Sequence, residues 1–204
     1  MSLAESHKPA PPMKVEEFLD LPDDGVERDL IDGVVREWIV GPPERELTEA
    51  DMTRRNPLDC EAVTSIGYEL RLWLATRPTP RGKVVSGEVG FRLARDPVVF
   101  VGVDVAFISA EMVANQDRKL RYFDGPPVLA VEILSPSDKQ VKIIAKVRKY
   151  LEVGTITWVA EPEFRTLTVY RPGEAPLGFN DRQVLDGEPY LPGFRVEVVR
   201  LFEG

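Results

Sequence analysis

Two acidic residues stand inside otherwise apolar runs: Asp104 in VVFVGVDVAFI and Glu132 in PPVLAVEILSPSD, with Lys146 following in AKVRKYLEV. Carboxylates are among the side chains least often fully buried unless paired or bound to a metal, so each acid demands a partner. If the two strands are neighbours, the partner is shared. Two carboxylates about 4 Å apart repel by roughly 4 kcal/mol at an effective dielectric near 20, which a divalent cation or a retained proton must offset. Such a pair with a lysine nearby outlines a metal-dependent hydrolytic site. The chain has one histidine, His7, and one cysteine, Cys60. That scarcity argues against Ser-His-Asp catalysis and His- or Cys-ligated zinc, and rules out an internal disulfide. A metal here is expected to be a hard, oxygen-ligated ion, magnesium or manganese.

The segment after Glu132 adds positive charge. Lys139, Lys142, Lys146 and Lys149 recur at spacings of three, four and three, an arc of about 80° on a helix. Ile144, Val147 and Leu151 fall on the adjacent face, as a helix packed on a sheet requires. Taken alone, a lysine stripe is as readily a solvated face as a functional one. Its position directly after the Glu132 strand makes Lys142 and Lys149 candidate nucleic-acid contacts. The net charge of −8 argues against a protein that coats nucleic acid through bulk charge, although a local basic cleft is compatible with it.

These residues need a scaffold to bring them together. The 204 residues, 43% hydrophobic and 29% charged, fit one compact domain over 14–204, after a Pro-rich leader at 1–13 expected to be disordered. No stretch reaches the ~18 consecutive apolar residues of a membrane span, and the start lacks a signal-peptide core, so a cytoplasmic location is expected. Val15 to Leu19 reads as a short helix. ERDLIDGVVREWIV reads as a hairpin around Asp32-Gly33, with Asp29 on its first strand. From Asp59 to Thr76, Val63, Ile66, Leu70, Trp73 and Leu74 recur at helical spacing. Strands follow over 84–93, 98–108 and 128–134, then Ser135 to Asp138 as capping side chains for the lysine helix. After Gly154, TITWVA and RTLTVYRP form a second hairpin, and GFRVEVVRLF is expected to add an edge strand. The element order is α/β.

The segments VEEFLDLPDD, DLIDGVV, VGVDVAFIS, VLAVEILSPSDK, KVRKYLEVGTITWVAEP and TLTVYRP together resemble the Uma family, a bacterial group of restriction-endonuclease-type proteins in the PD-(D/E)XK nuclease superfamily. The resemblance runs in order from about Lys14 to Phe202, and is most specific in VEILSPSDK and in the spacing Lys146, Tyr150, Gly154, Trp158. It implies a restriction-endonuclease-like mixed β-sheet flanked by α-helices, with the N-terminal helix and hairpin appended and the active site where central strands diverge. Asp104 matches the acid of the family's Pro-Asp motif, with Val103 in place of the proline. Glu132 matches the glutamate of the E-x-K element; Leu134 holds the lysine slot, and Lys146 matches a lysine moved to the following helix. Asp29 matches a glutamate that often precedes Leu-Ile-Asp-Gly. A histidine common near the start of the helix at Asp59 is missing.

The chemistry implied is hydrolysis of phosphodiester bonds in DNA. Asp104, Glu132 and the Ile133 carbonyl would hold Mg2+ or Mn2+, Lys146 would orient water or stabilise developing charge, and Asp29 would bind the metal through water or a second ion. Each residue has a structural alternative: a backbone amide for Asp104, an ion pair for Glu132, solvent for Lys146, and neighbouring Arg28 for Asp29. Two other classes therefore stand beside the nuclease: a catalytically inactive nuclease-fold module binding DNA or protein, and an assembly protein working through edge strands. The sequence leaves the oligomeric state open, a homodimer included.

Overall fold

The computed structural model describes residues 12–22, 24, 26–38, 56–134 and 140–203. His7, Lys139 and the capping residues Ser135 to Asp138 lie outside these. The chain opens with a short helix α1 (Val15–Leu19) and the expected hairpin of β1 (Glu27–Ile31) and β2 (Val34–Trp38). Asp32 and Gly33 take φ of 54° and 74°, as a tight two-residue hairpin turn requires. A side chain on Gly33 would put Cβ 2.4 Å from Cβ of Pro12. Pro12 and Met13, expected to be part of a free leader, are instead seated on this turn, with the Met13 N–H donating to the Gly33 carbonyl at 3.0 Å.

After α2 (Pro57–Ala75) come β3 (Lys83–Arg95) and β4 (Val98–Ile108), a long antiparallel pair. Next are α3 (Ala110–Asn115), the two-residue β5 (Phe123–Asp124), β6 (Leu129–Ile133), α4 (Gln140–Glu152), β7 (Ile156–Glu161), β8 (Thr166–Tyr170) and β9 (Leu177–Phe179). They form one mixed sheet in the order β2-β1-β4-β6-β7-β8-β9, with β3 also on β4 and β5 on β3. β6 and β7 are parallel, and α4 is the crossover that such a pair needs. No helix among the described residues is long and apolar enough to cross a membrane.

Alternation along the strands divides the two faces. Val131, Ile133, Trp158, Ala160, Leu167 and Val169 pack against Ala62, Ile66, Leu70 and Trp73 of α2. The intervening Val159 meets Ile143 and Val147 of α4, and Glu132 meets Lys146 of the same helix. The C-terminal segment departs from expectation. Rather than extending the main sheet, β11 (Arg195–Glu197) pairs with β10 (Val184–Asp186) in a separate two-stranded ribbon. Leu185, Phe194, Val196 and Leu201 then close over the α2 side of the core, which a fresh edge strand would have left partly open.

The register of α4 also differs from the sequence expectation. Ile143, not Ile144, enters the core: Ile143 is 7% exposed and Ile144 is 50% exposed. Lys142, for which a solvated or DNA-contacting face was expected, turns inward with Lys146 and rotates the apolar stripe with it. Ile143→Ala should therefore cost about 2–4 kcal/mol in denaturant unfolding, and Ile144→Ala less than about 1 kcal/mol. Equal costs would contradict this helix orientation.

Candidate active site

β3 covers one edge of β4 along its whole length, so β1 and β6 share the other. β1 pairs at Leu30↔Phe100, and β6 pairs from Val105↔Val131 to Phe107↔Leu129. Between them, at 101–104, the edge passes from one partner to the next. Continued by one step, the β4–β6 register sets Asp104 opposite Glu132, and directly opposed residues share a face with Cβ atoms about 4.5–5.5 Å apart.

Both acids are buried, Asp104 at 7% and Glu132 at 3% exposure. Asp104 Oδ2 accepts from the Ile133 N–H at 2.7 Å, so the carboxylate continues the ladder beyond the last paired residues. Glu132 Oε2 accepts from Lys146 Nζ at 2.7 Å, and Oε1 accepts from the Tyr150 hydroxyl at 2.5 Å. Lys146 donates a second bond to the Gly102 carbonyl at 2.7 Å. Asp29, also buried, accepts from Trp38 Nε1 at 2.8 Å and, more weakly, from the Gly102 N–H at 3.4 Å. Asp29 therefore borders the same stretch of β4 from the hairpin side.

The described lysines of the stripe do not form an open basic surface. Lys142 is buried and ion-paired with Glu27 of β1; Lys149 pairs with Asp32 of the turn at 2.9 Å and with Glu152 at 3.0 Å. These bonds clamp α4 to the hairpin. Two residues escaped the sequence analysis as parts of the site, although each had a signal. Tyr150 lies one helical turn after Lys146 on the same face. Trp38 is a diagonal cross-strand neighbour of Asp29 once the Asp32-Gly33 turn fixes the register Asp29↔Arg36.

The family model described as "Putative restriction endonuclease", Uma2, matches residues 15–199. The chain belongs to the Uma2 family. A crystal structure from Anabaena variabilis, described as a "putative nuclease belonging to DUF820", shares the fold with a TM-score of 0.66 at 19% identity, over 94% of this chain and 98% of that one. No curated protein matches the chain.

In this Uma2 protein the site is electrostatically strained. Burial pushes the Glu132 carboxyl up to about 7; Lys146 pulls it down and Asp104 pushes it further up. Burial works to lower the Lys146 pKa, but Glu132, Asp29 and Asp104 outweigh it and hold the amine above the ordinary lysine range. The pair thus titrates through its carboxyl: Lys146 stays an ammonium, and Glu132 takes up a proton near neutrality. Burial and Glu132 together drive the Tyr150 phenol well above its usual value, so it remains a donor.

Among the described residues no group of three or more His, Cys, Asp or Glu side chains is arranged to hold a metal ion. The hard-oxygen pair Asp104 and Glu132 nonetheless fits magnesium, which keeps several waters and is often held by one or two protein carboxylates. Burial is the main cause that raises Glu132, and the added repulsion from Asp104 is what a divalent cation would relieve, once Lys146 or Tyr150 yields a Glu132 oxygen.

Glu132 loses its proton near 4.5 when unfolded and near 7 when folded. Between these values the native state holds the extra proton, so stability is greatest below the lower pKa and falls as pH rises through the upper one. The loss is roughly 3 kcal/mol. Urea unfolding of metal-free protein should show this decline, and Glu132→Gln should remove it; identical pH profiles for the two would show that the Glu132 pKa is the same folded and unfolded.

Proposed function

We propose that this Uma2 protein is a metal-dependent endonuclease that hydrolyses phosphodiester bonds in cytoplasmic DNA. The observation that carries the proposal is the opposed, buried pair Asp104 and Glu132 with the Lys146 ammonium held against it, at the place where the central strands part. Asp104, Glu132 and the Ile133 carbonyl would hold Mg2+ or Mn2+, which when bound would acidify water and offset phosphate charge. Lys146, released from Glu132, is positioned to orient the attacking water or to stabilise charge on the nonbridging oxygens. Tyr150 keeps Glu132 in place. Asp29, tied to Trp38, supports Lys146 by charge and would reach a metal only through water. For Lys142 and Lys149 to touch DNA, their bonds to Glu27 and Asp32 would have to open.

A second reading, an inactive nuclease-fold module, is favoured by one observation: both Glu132 oxygens are already engaged by protein donors. Hydrolysis of plasmid DNA with magnesium or manganese separates the two. Wild type should cleave; Asp104→Ala and Glu132→Ala should abolish cleavage while remaining folded by circular dichroism. Lys146→Ala should slow turnover by about 10²-fold or more, in the range for loss of one charge-stabilising group, and calcium should support binding with little turnover. Cleavage that survives Glu132→Ala would sink the assignment of the site. Failure of wild type to cut any form of DNA would select the inactive module.

A further inference from the structure

A second feature lies away from the carboxylates. The C-terminal end of α2 and the start of β3 enclose a cleft of about 390 Å³, rimmed by Arg71, Arg81 and Lys83 over an apolar floor of Leu74, Ala75 and Val84. No acidic residue lines it. Arg71 and Lys83 have no ion-pair partner among the described residues, and Arg81 spends only its Nε–H, on the Arg77 carbonyl. The cleft is built by close backbone packing. A Cβ on Gly82 would lie 2.0 Å from the Ile108 carbonyl oxygen and 2.7 Å from the Phe107 ring, so only glycine lets the chain pass here with a cation on either side.

We propose that this cleft binds the phosphate backbone of the DNA substrate, an inference that rests on the nuclease reading above for the identity of its ligand. In a chain of net charge −8, a polyanion is repelled by most of the surface and must dock where unneutralised cations collect. Two guanidinium groups and an ammonium over an apolar floor suit phosphate oxygens flanked by sugar, since arginine can take two oxygens at once. Leu74 and Val84 of the cleft belong to the α2 side of the core, whereas Glu132 faces Lys146 of α4, so a duplex held in the cleft would have to pass around the sheet to bring a phosphate to the carboxylates.

The test is binding of a short fluorescein-labelled DNA duplex, without metal, by anisotropy over a salt series. The full-length triple variant Arg71→Gln, Arg81→Gln, Lys83→Gln should bind about tenfold or more weakly, with a plot of log affinity against log salt shallower by about 2 to 3. Lys119→Gln, an exposed control, should match wild type. Single Arg71→Gln and Lys83→Gln variants, each expected to lower the slope by about 1, guard against misfolding of the triple variant. Unchanged affinity, or weaker binding with an unchanged slope, overturns the cleft even if wild type cleaves DNA. Conversely, lost binding in the triple variant alongside a wild type that cleaves nothing leaves the cleft standing and sinks only the hydrolase reading.

Discussion

β4 has two edges and three strand partners. Because β3 runs along one edge from end to end, with register shifts opposite Asp104 and near Leu93, β1 and β6 must divide the other, and backbone groups at the division have no strand to bond. A buried backbone group left unsatisfied costs about 1–3 kcal/mol, so side chains must stand in for the missing strand. Asp104 takes the Ile133 N–H, Asp29 takes the Gly102 N–H, and Lys146 takes the Gly102 carbonyl. The parting of the strands therefore explains why acids occur inside apolar runs at all. The same side chains that plug the gap are those with chemistry to offer.

α4 serves this arrangement as a clamp. Its inward face presents Lys142, Lys146 and Tyr150 in successive turns, and each finds an oxygen on the sheet or the hairpin. Lys149 adds the bond to Asp32 at the turn. The hairpin is thus held from two sides, by α4 and by its single paired position with β4. Charge on this helix orders β1 near the site rather than forming a surface for a polyanion. Three cations without an ion pair among the described residues, Arg71, Arg81 and Lys83, gather instead at the α2–β3 cleft.

Asp104 and Glu132 were legible in the sequence because a carboxylate in the middle of an apolar strand contradicts its surroundings. The orientation of α4 was not legible. Helical periodicity tells which residues share a face, but not whether that face looks outward, and four lysines default to solvent unless acids wait opposite. Those acids, Glu27 and Asp32, sit more than a hundred residues earlier, on a hairpin whose docking no local pattern records. Ile144 was misassigned for the same reason, since the core took Ile143 once the lysines turned inward. The β10–β11 pairing likewise joins segments whose local patterns suit an edge strand equally well.

Stability alone gives little reason for this cluster. Burying charged groups costs several kcal/mol each, and replacing a buried ion pair with well-packed apolar side chains is often neutral or stabilising. Here Glu132, Asp29 and Asp104 all act on the Lys146 ammonium, and together they outweigh the cost of burying it. Protonation of Glu132 near neutrality relieves one negative charge. A divalent cation would relieve two and free Lys146 for other work. A fold needing only to satisfy the backbone at Gly102 and Ile133 could do so with uncharged hydrogen-bonding side chains. On the metal-dependent reading proposed above, acids at these positions would serve a ligand that brings positive charge with it.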